Sequence, residues 1–236
     1  MQEDVYGDGL KAYQKGEKNA TFVVESDLAE TDEWPVSTFF RAYAEMPEVE
    51  QMALQRATGK VLDVGAGAGS HSLWLQMRHL DVTAIDISEG AVDVMRERGV
   101  QHPLLADYFC FEEGGYDTML MLMNGVGIVG RLNRLSSFFL QAKKILKRGG
   151  RILLDSSDIR YMYEEEDGSM MIDLNGDYYG EMEYTFGFKG AKGKTFEWVF
   201  VDFDTLADCA KLHGFSCEKI YEDDHFLYLA ELRNEA

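Results

Sequence analysis

Between residues 60 and 158 the chain alternates short apolar runs with longer segments whose apolar residues recur every three or four positions. Continuously apolar runs of this length are typical of parallel strands that are buried on both faces by crossover helices. The pattern predicts an α/β fold with a doubly wound, mostly parallel sheet. Its successive strands lie in the stretches VLDVG, DVTAIDIS, PLLADYF, YDTMLMLMN and RILLD.

From residue 170 to residue 202 the period of the pattern changes to two. Aromatic residues recur at every second position from 184 to 188 and again from 196 to 200, and Asn-Gly at 175–176 is a strong hairpin-turn signal. The segment therefore predicts a three-stranded antiparallel meander inserted after the fifth strand. Its aromatic face is expected to cover either the substrate, as a lid, or a second subunit, as a dimer contact.

The two ends of the chain complete a single predicted domain, 1–236. Residues 1–58 predict a helical cap, with one helix over about 36–45 and another that starts at Pro47. Glu48 and Glu50 suit the first turn of this second helix, because its dipole is positive there. Residues 203–236 predict a helix followed by a strand pair, and an aspartate, Asp202 or Asp204, is expected to cap that helix.

Charge and cysteine content narrow the classes of partner. The formal net charge is -19 and the pI is about 4.6, so a nucleic acid or an anionic membrane would be repelled by the mean field. The three cysteines have no spacing typical of a disulfide framework or a zinc site, and no metal site is expected. With no leader-like or membrane-spanning segment visible, the chain is expected to be soluble and cytoplasmic.

The stretch VLDVGAGAGSHSLWL carries the first chemical signal. Gly65, Gly67 and Gly69 let the backbone turn sharply out of a strand and approach a ligand closely, while the next helix offers its amide groups. Dinucleotides and S-adenosylmethionine both bind at turns of this kind. Ser70 stands where the dinucleotide fingerprint has its last glycine, and Asp63 precedes the turn, and both details favour the methyl donor.

Further polar residues follow the later strands in order. Asp86 ends the second strand, where a carboxylate can accept from both ribose hydroxyls. Asp107 ends the third strand, with Tyr108 or Phe109 beside it, and Met123, Asn124 and Gly125 end the fourth. The ordered set resembles the class I, Rossmann-like S-adenosylmethionine-dependent methyltransferases, and the resemblance covers roughly Val36 to Arg233.

The resemblance implies a seven-stranded sheet with a reversed last strand, with S-adenosylmethionine across the carboxyl ends of the first strands in the half formed by residues 60–158. Asp63 and the glycines would hold the methionine portion, Asp86 the ribose, Ile87 an adenine face and Asp107 the adenine amine. The full set of expected cofactor-binding residues is Arg41, Asp63, Gly65, Ala66, Gly67, Gly69, His71, Asp86, Ile87, Asp107, Tyr108, Met123 and Asn124. The MNG that ends the fourth strand departs from the (D/N)PPY of relatives that methylate amino groups of nucleic acids and proteins.

The catalytic residues stay open at the level of sequence. The catalytic candidates are Asn124, which the resemblance places near the transferred methyl group, and Asp155 and Tyr161. A base is needed only if the acceptor must lose a proton, and Asp155, Asp158 and Tyr161 are the candidates for it by position. The acidic run 164–167 is more typical of a solvated loop. For His71 and Arg41, a cofactor contact competes with an ordinary packing or surface role.

Three functions are consistent with these residues. The leading one is methyl transfer to a small-molecule acceptor by a cytoplasmic enzyme, either a monomer or a homodimer. A nicotinamide-dependent oxidoreductase is disfavoured by Ser70 and by the lack of a Tyr-x-x-x-Lys pair. A non-catalytic cofactor-binding protein on the same fold is the third hypothesis.

Overall fold

The computed structural model describes residues 4–163 and 176–235. Its helices are α1 (Val5–Gln14), α2 (Glu48–Arg56), α3 (Ser70–Met77), α4 (Glu89–Arg98), α5 (Leu135–Ile145) and α6 (Phe203–Leu212). Its strands are β1 (Thr21–Ser26), β2 (Asp32–Pro35), β3 (Lys60–Val64), β4 (Asp81–Asp86), β5 (His102–Leu105), β6 (Tyr116–Met121), β7 (Leu146–Ser157), β8 (Glu181–Phe188), β9 (Ala191–Lys192), β10 (Phe196–Val199), β11 (Phe215–Glu222) and β12 (Leu227–Asn234). The acidic run 164–167, the start of the meander at 170 and Asn175 of the hairpin turn lie outside the described residues.

Within that part of the chain the larger sheet has seven strands in the order β11-β12-β7-β6-β3-β4-β5. The pairs from β7 to β5 are parallel, and β12 is antiparallel to both of its neighbours. Leu62, Met119 and Leu153 on the inner strands are fully buried, as expected for strands covered on both faces. The predicted doubly wound sheet is confirmed. Strand order reverses between β3 and β6, and ligands of open α/β sheets bind at such a point.

Local signals set the ends of the helices around this sheet. The Ser88 side chain accepts a hydrogen bond from the Ala91 amide at the start of α4, and Gly99 ends that helix in the left-handed conformation. At the start of α6, Asp202 accepts from the Thr205 amide. Asp202 is therefore the cap, and the predicted C-terminal helix and strand pair are confirmed.

The smaller sheet is antiparallel and runs β10-β8-β1-β2, with β9 paired to β8. The pairing of β8 with β10, in which Trp198 is opposite Met182, agrees with the predicted meander. The other neighbour of β8 is β1, from the N-terminal region, with Val24 opposite Phe186. The inserted segment is therefore completed by strands that the sequence interpretation had assigned to a helical cap.

The N-terminal prediction was wrong in two places. Residues 1–58 contain β1 and β2 in addition to helices, and Phe22 and Val24 of β1 are buried while Val23 between them is exposed. The helix expected over 36–45 is two short 3-10 helices, Val36–Phe40 and Tyr43–Glu45. They are separate because Arg41 and Ala42 adopt extended backbone angles, with ψ of 139° and 159°.

The aromatic face of the smaller sheet packs inside the chain. The ring of Tyr6 on α1 lies 5.6 Å from Phe22 of β1, 5.3 Å from Phe39 and 5.8 Å from Phe186 of β8 between centroids. Phe188 also packs against Phe22, at 5.9 Å. Part of the face that was predicted to cover a substrate or a second subunit thus packs on α1 and on the 3-10 helix Val36–Phe40.

Two contacts fix the smaller sheet to the loop that follows β6. The Trp198 indole packs on Gly127 so closely that a Cβ there would lie 2.0 Å from the ring. Arg131 donates to Glu197 of β10 and to Glu181 of β8, both at 2.9 Å. The smaller sheet therefore lies beside the carboxyl edge of the larger one. In residues 4–163 and 176–235 no helix has the length and apolarity that crossing a membrane requires.

Candidate cofactor site and active site

The glycine turn leaves β3 in a conformation that favours glycine. Gly65, Gly67 and Gly69 have φ of 69°, 56° and 78°, in the left-handed region. The amides of Gly65 and Ala66 donate to the Ile85 carbonyl oxygen at 2.9 and 3.1 Å, so the turn is held against the end of β4. This geometry brings the backbone of the turn next to the carboxylate that ends β4.

Asp86 is that carboxylate. Its Oδ2 accepts from the Gly67 amide and its Oδ1 from the Ser88 amide, each at 2.9 Å. The side chain is buried, and burial raises the pKa of Asp86 to about 6, against the two amide hydrogen bonds that lower it. Because a carboxylate can accept about four hydrogen bonds, Asp86 retains acceptor capacity for two further donors.

The surface beside Asp86 exposes apolar side chains. Ile87 is 77% exposed and Leu105, at the end of β5, is 56% exposed. Asp107 follows on the same edge, and one of its oxygens accepts from the Phe109 amide at 2.8 Å. Apolar side chains beside a carboxylate form a surface suited to a flat heterocycle with an exocyclic amine.

Tyr108 corrects the sequence prediction. Its ring is buried in the main core, and its hydroxyl donates to the Phe138 carbonyl oxygen at 2.9 Å. A residue that flanks an adenine ring would lie beside the exposed surface, and Tyr108 does not. Of the two aromatic candidates, Phe109 is only partly buried.

A buried polar cluster lies under the start of α3. Asp63 Oδ2 accepts from the Ser72 hydroxyl at 2.6 Å, and burial raises the pKa of Asp63. His71 Nε2 and Glu50 Oε2 are 2.8 Å apart. Burial lowers the pKa of His71, but the hydrogen bond to Glu50 and the charge of Asp63 outweigh burial, so the pKa is raised. His71 therefore tends to carry a proton among these carboxylates.

Arg41 joins this cluster through Glu50. Its Nη2 donates to Glu50 Oε1 at 2.6 Å. Its Nε is, within the described residues, the one buried side-chain nitrogen or oxygen that lacks a hydrogen-bond partner. An unsatisfied buried donor is costly, so a ligand acceptor is the natural partner of this N–H group.

The end of β6 is strained. Met123 and Asn124 are consecutive non-glycine residues with φ of 63° and 55°, a conformation that costs about 1–2 kcal/mol per residue. The Asn124 amide donates to Asp155 Oδ1 at 3.1 Å, and the Asn124 side chain accepts from Ser157 at 3.3 Å. Strain held in place by neighbouring groups points to a functional role.

Asp155 is 2% exposed at the carboxyl half of β7. Burial raises the pKa of Asp155 to about 7, assisted by the charge of Glu50 and opposed by the Asn124 amide. Its neighbour Asp158 instead accepts from the Tyr179 hydroxyl and from Arg160. Asp158 is therefore paired, whereas Asp155 has a pKa suited to exchanging a proton near neutral pH.

Tyr161 lies further out than Asp155. It belongs to the 3-10 helix Ile159–Tyr163 and is half exposed. Tyr161 lies near Tyr184 on β8. Burial, together with the charges of Asp27 and Tyr161, raises the pKa of Tyr184 to about 12. The structure thus places Tyr161 between the larger sheet and the smaller one, apart from the Asn124–Asp155 contact.

Several residues of the site were missed in the sequence. Glu50 was interpreted as a helix-dipole residue, but it is buried and pairs with both Arg41 and His71. Arg98 donates to the Ala68 carbonyl oxygen in the glycine turn at 2.5 Å. Asp4, which precedes α1, accepts from the Ser88 hydroxyl and the Gly90 amide, both at 2.8 Å. No short motif marks these residues, because their roles depend on contacts distant in sequence.

Comparisons with known proteins agree with this geometry. A family model described as a methyltransferase domain matches residues 62–154. The structure of a SAM-dependent methyltransferase from Bacteroides fragilis, in complex with S-adenosyl-L-homocysteine, is 43% identical, with a TM-score of 0.91 over 97% of this chain and 94% of that one.

Two curated relatives are more distant. Both are biotin biosynthesis bifunctional proteins BioHC, one from Cellvibrio japonicus, 27% identical over 41% of this chain, and one from Saccharophagus degradans, 22% identical over 71% of it. The matches span 19% and 28% of those longer proteins.

Proposed function

The chain belongs to the S-adenosylmethionine-dependent methyltransferases, and we propose that it methylates a small-molecule acceptor held between the carboxyl edge of the larger sheet and the antiparallel sheet. S-adenosylmethionine is the cofactor.

The residues around the glycine turn fit the proposed placement of the cofactor. Asp86 would accept from the ribose hydroxyls with its remaining lone pairs, and exposed Ile87 and partly buried Phe109 would flank the adenine, with Asp107 at its amine. The buried Arg41 Nε, which lacks a partner in the described chain, would donate to the methionine carboxylate, because guanidinium and carboxylate groups are well matched. The unpaired Arg41 Nε is the observation that most directly supports an anionic group at this position.

One observation carries the proposal of a small acceptor: the antiparallel sheet is fastened beside the end of β6. Trp198 packs on Gly127, three residues beyond Asn124, and Phe186 packs on Tyr6, which lies over the glycine turn. An acceptor site that the antiparallel sheet bounds on this side would suit a compact acceptor better than a polymer. The acidic net charge also disfavours nucleic acid, and the relatives named for biotin biosynthesis have a small-molecule role in their name.

When bound, the cofactor supplies a methyl group already activated by its sulfonium. The protein then has to hold the acceptor in line with that methyl group, and positioning alone can supply about 7 kcal/mol or more of the barrier reduction. Asn124, held in its strained conformation by Asp155 and Ser157, would form part of the wall nearest the methyl group. Asp155, with a pKa of about 7, would accept a proton if the acceptor loses one.

The proposal is tested by following a tritiated methyl group. Purified protein and labelled S-adenosylmethionine are incubated with a cell extract that has been divided by ultrafiltration into small molecules and macromolecules. We expect new labelled compounds in the small-molecule fraction, and none with the Gly67→Val variant as a control. Label in precipitated protein or nucleic acid would contradict the proposal, and no transfer to either fraction would favour a non-catalytic cofactor-binding protein.

The homodimer predicted from the sequence stays a prediction. Part of its proposed contact is covered within the chain, because Phe186 packs on Tyr6 and Phe188 on Phe22. Light scattering of the purified protein measures the mass directly.

A further inference from the structure

A residue of α1 contacts both halves of the proposed site. We propose that Tyr6 is a cofactor-binding residue that couples the cofactor to the antiparallel sheet, with its hydroxyl on the bound cofactor above Gly67 and its ring on Phe186 of β8. This inference rests on the proposed function, because it takes the glycine turn as the cofactor site.

The position and state of the hydroxyl support the first half of the proposal. A Cβ at Gly67 would lie 2.8 Å from the Tyr6 hydroxyl oxygen. Within residues 4–163 and 176–235 this hydroxyl has no hydrogen bond. Burial, and then the charges of Asp86 and Asp4, raise the pKa of Tyr6 well above its usual value. It is therefore a neutral donor without a protein partner in this part of the chain, beside a turn at which a ligand atom can accept its hydrogen bond.

Helix α1, which carries Tyr6, is attached to the loop that follows Asp86, the residue proposed to bind the ribose. Asp4 accepts from Ser88, whose amide donates to Asp86. The backbones of Gly7 and Gly90 touch, since a Cβ at Gly90 would lie 2.5 Å from the Gly7 Cα. α1 is thus seated on the start of α4, and this contact sets the height of the Tyr6 hydroxyl above the turn.

The ring of Tyr6 supports the second half of the proposal. It contacts Phe39 edge-on, with an interplanar angle of 86°, and Phe186 at 64°. Phe186 in turn stacks on Phe196 of β10 at 5.8 Å and 5°. A continuous series of packed rings therefore runs from the glycine turn to β8 and β10 of the antiparallel sheet. A cofactor that fixes Tyr6 also restricts these strands.

The hydroxyl is tested with the full chain and S-adenosylhomocysteine as the probe. Tyr6→Phe keeps the ring and removes the hydroxyl, so we expect calorimetry to show binding weakened about tenfold, the effect of one hydrogen bond. The melting temperature without ligand should equal or exceed that of the wild type. Tyr13→Phe, on the same helix, is the matched control and should change neither quantity. Equal affinity in Tyr6→Phe and wild type overturns the proposed contact.

The coupling is tested by hydrogen exchange. S-adenosylhomocysteine should slow amide exchange in α1 and in β8 of the wild type. Phe186→Leu removes the ring contact and should keep the protection of α1 while reducing that of β8. The coupling is overturned if S-adenosylhomocysteine does not protect β8 in the wild type, or if it protects β8 equally well in Phe186→Leu. Failure of the wild type to bind S-adenosylhomocysteine would instead contradict the assigned cofactor and with it the proposed function.

Discussion

Replacing Asp86 by asparagine tests the placement of the ribose. The substitution keeps the shape of the side chain but removes the charge and one acceptor oxygen. Hydrogen bonds to a charged group contribute about 1.5–3 kcal/mol and neutral ones about 1 kcal/mol. With two ribose hydroxyls at stake, the loss should be about 2–4 kcal/mol, or roughly 30-fold to 1000-fold in the dissociation constant.

The stability of the unliganded protein should change far less. Burial raises the pKa of Asp86 to about 6, so ionisation of this carboxylate costs folding free energy progressively as pH rises from about 4 to about 6, to a total of about 3 kcal/mol. The Asp86→Asn variant would avoid that cost but would leave one of the Gly67 and Ser88 amides with a weaker partner, at about 1–3 kcal/mol. The two effects oppose each other.

Calorimetry with S-adenosylhomocysteine at about pH 7.5, well above the Asp86 pKa, measures the affinity loss. Asp208→Asn, at a position on α6 away from the turn, is the charge-matched control and should bind as the wild type does. Wild-type affinity should also fall as pH is lowered through about 6, where Asp86 takes up a proton, so that its difference from Asp86→Asn narrows. An Asp86→Asn protein that binds as tightly as the wild type would refute the ribose assignment.

Three further predictions concern the neighbouring residues. Asp155→Asn should stabilise the unliganded protein above pH 7, by at most about 4 kcal/mol, because the raised pKa of Asp155 means that its ionised form destabilises the fold. The gain should vanish towards about pH 4. If wild type and variant show the same pH dependence of the melting temperature, ionised Asp155 does not destabilise the fold. Glu50→Gln should lower the pKa of His71, measured by NMR titration of the imidazole, because the Glu50 hydrogen bond raises it; an unchanged or higher pKa would contradict the pairing. Gly67→Val should abolish S-adenosylhomocysteine binding, since it combines left-handed backbone strain of about 1–2 kcal/mol with a Cβ 2.8 Å from the Tyr6 hydroxyl. Gly16→Val is the control: its backbone is strained in the same way, but its Cβ would have no atom within 4 Å, and it should bind normally.

The sequence predicted the elements whose signals are local. Parallel strands such as β3 and β6 are mostly apolar, and the glycine turn has a short signature. Of the two aspartates predicted to cap the last helix, Asp202 is the one that does. β1 was missed because its apolar residues, Phe22, Val23 and Val24, form a short run before an acidic stretch. Its identity as a strand depends on pairing with β8, about 160 residues away.

The same distinction applies to the site. Asp86 was identifiable because it ends a strand next to a glycine turn. Tyr6 and Arg98 reach the turn from other elements, and Glu50 reaches His71 at the start of α3. A tyrosine, a glutamate in a first helical turn and an arginine in a last turn are ordinary residues in a helix. Tyr108 was misplaced because periodicity does not show which of two adjacent aromatic residues after a strand turns into the core.

A crystal structure of this protein with S-adenosylhomocysteine would test the assigned cofactor site most directly. It should show both ribose hydroxyls on Asp86, the adenine over Ile87 with its amine at Asp107, and the methionine carboxylate on the Arg41 Nε. The sulfur should point toward Asn124, with the antiparallel sheet beside it. A ligand bound in the opposite orientation, with the adenine near Arg41 and no ribose contact to Asp86, would contradict the assignment of the site.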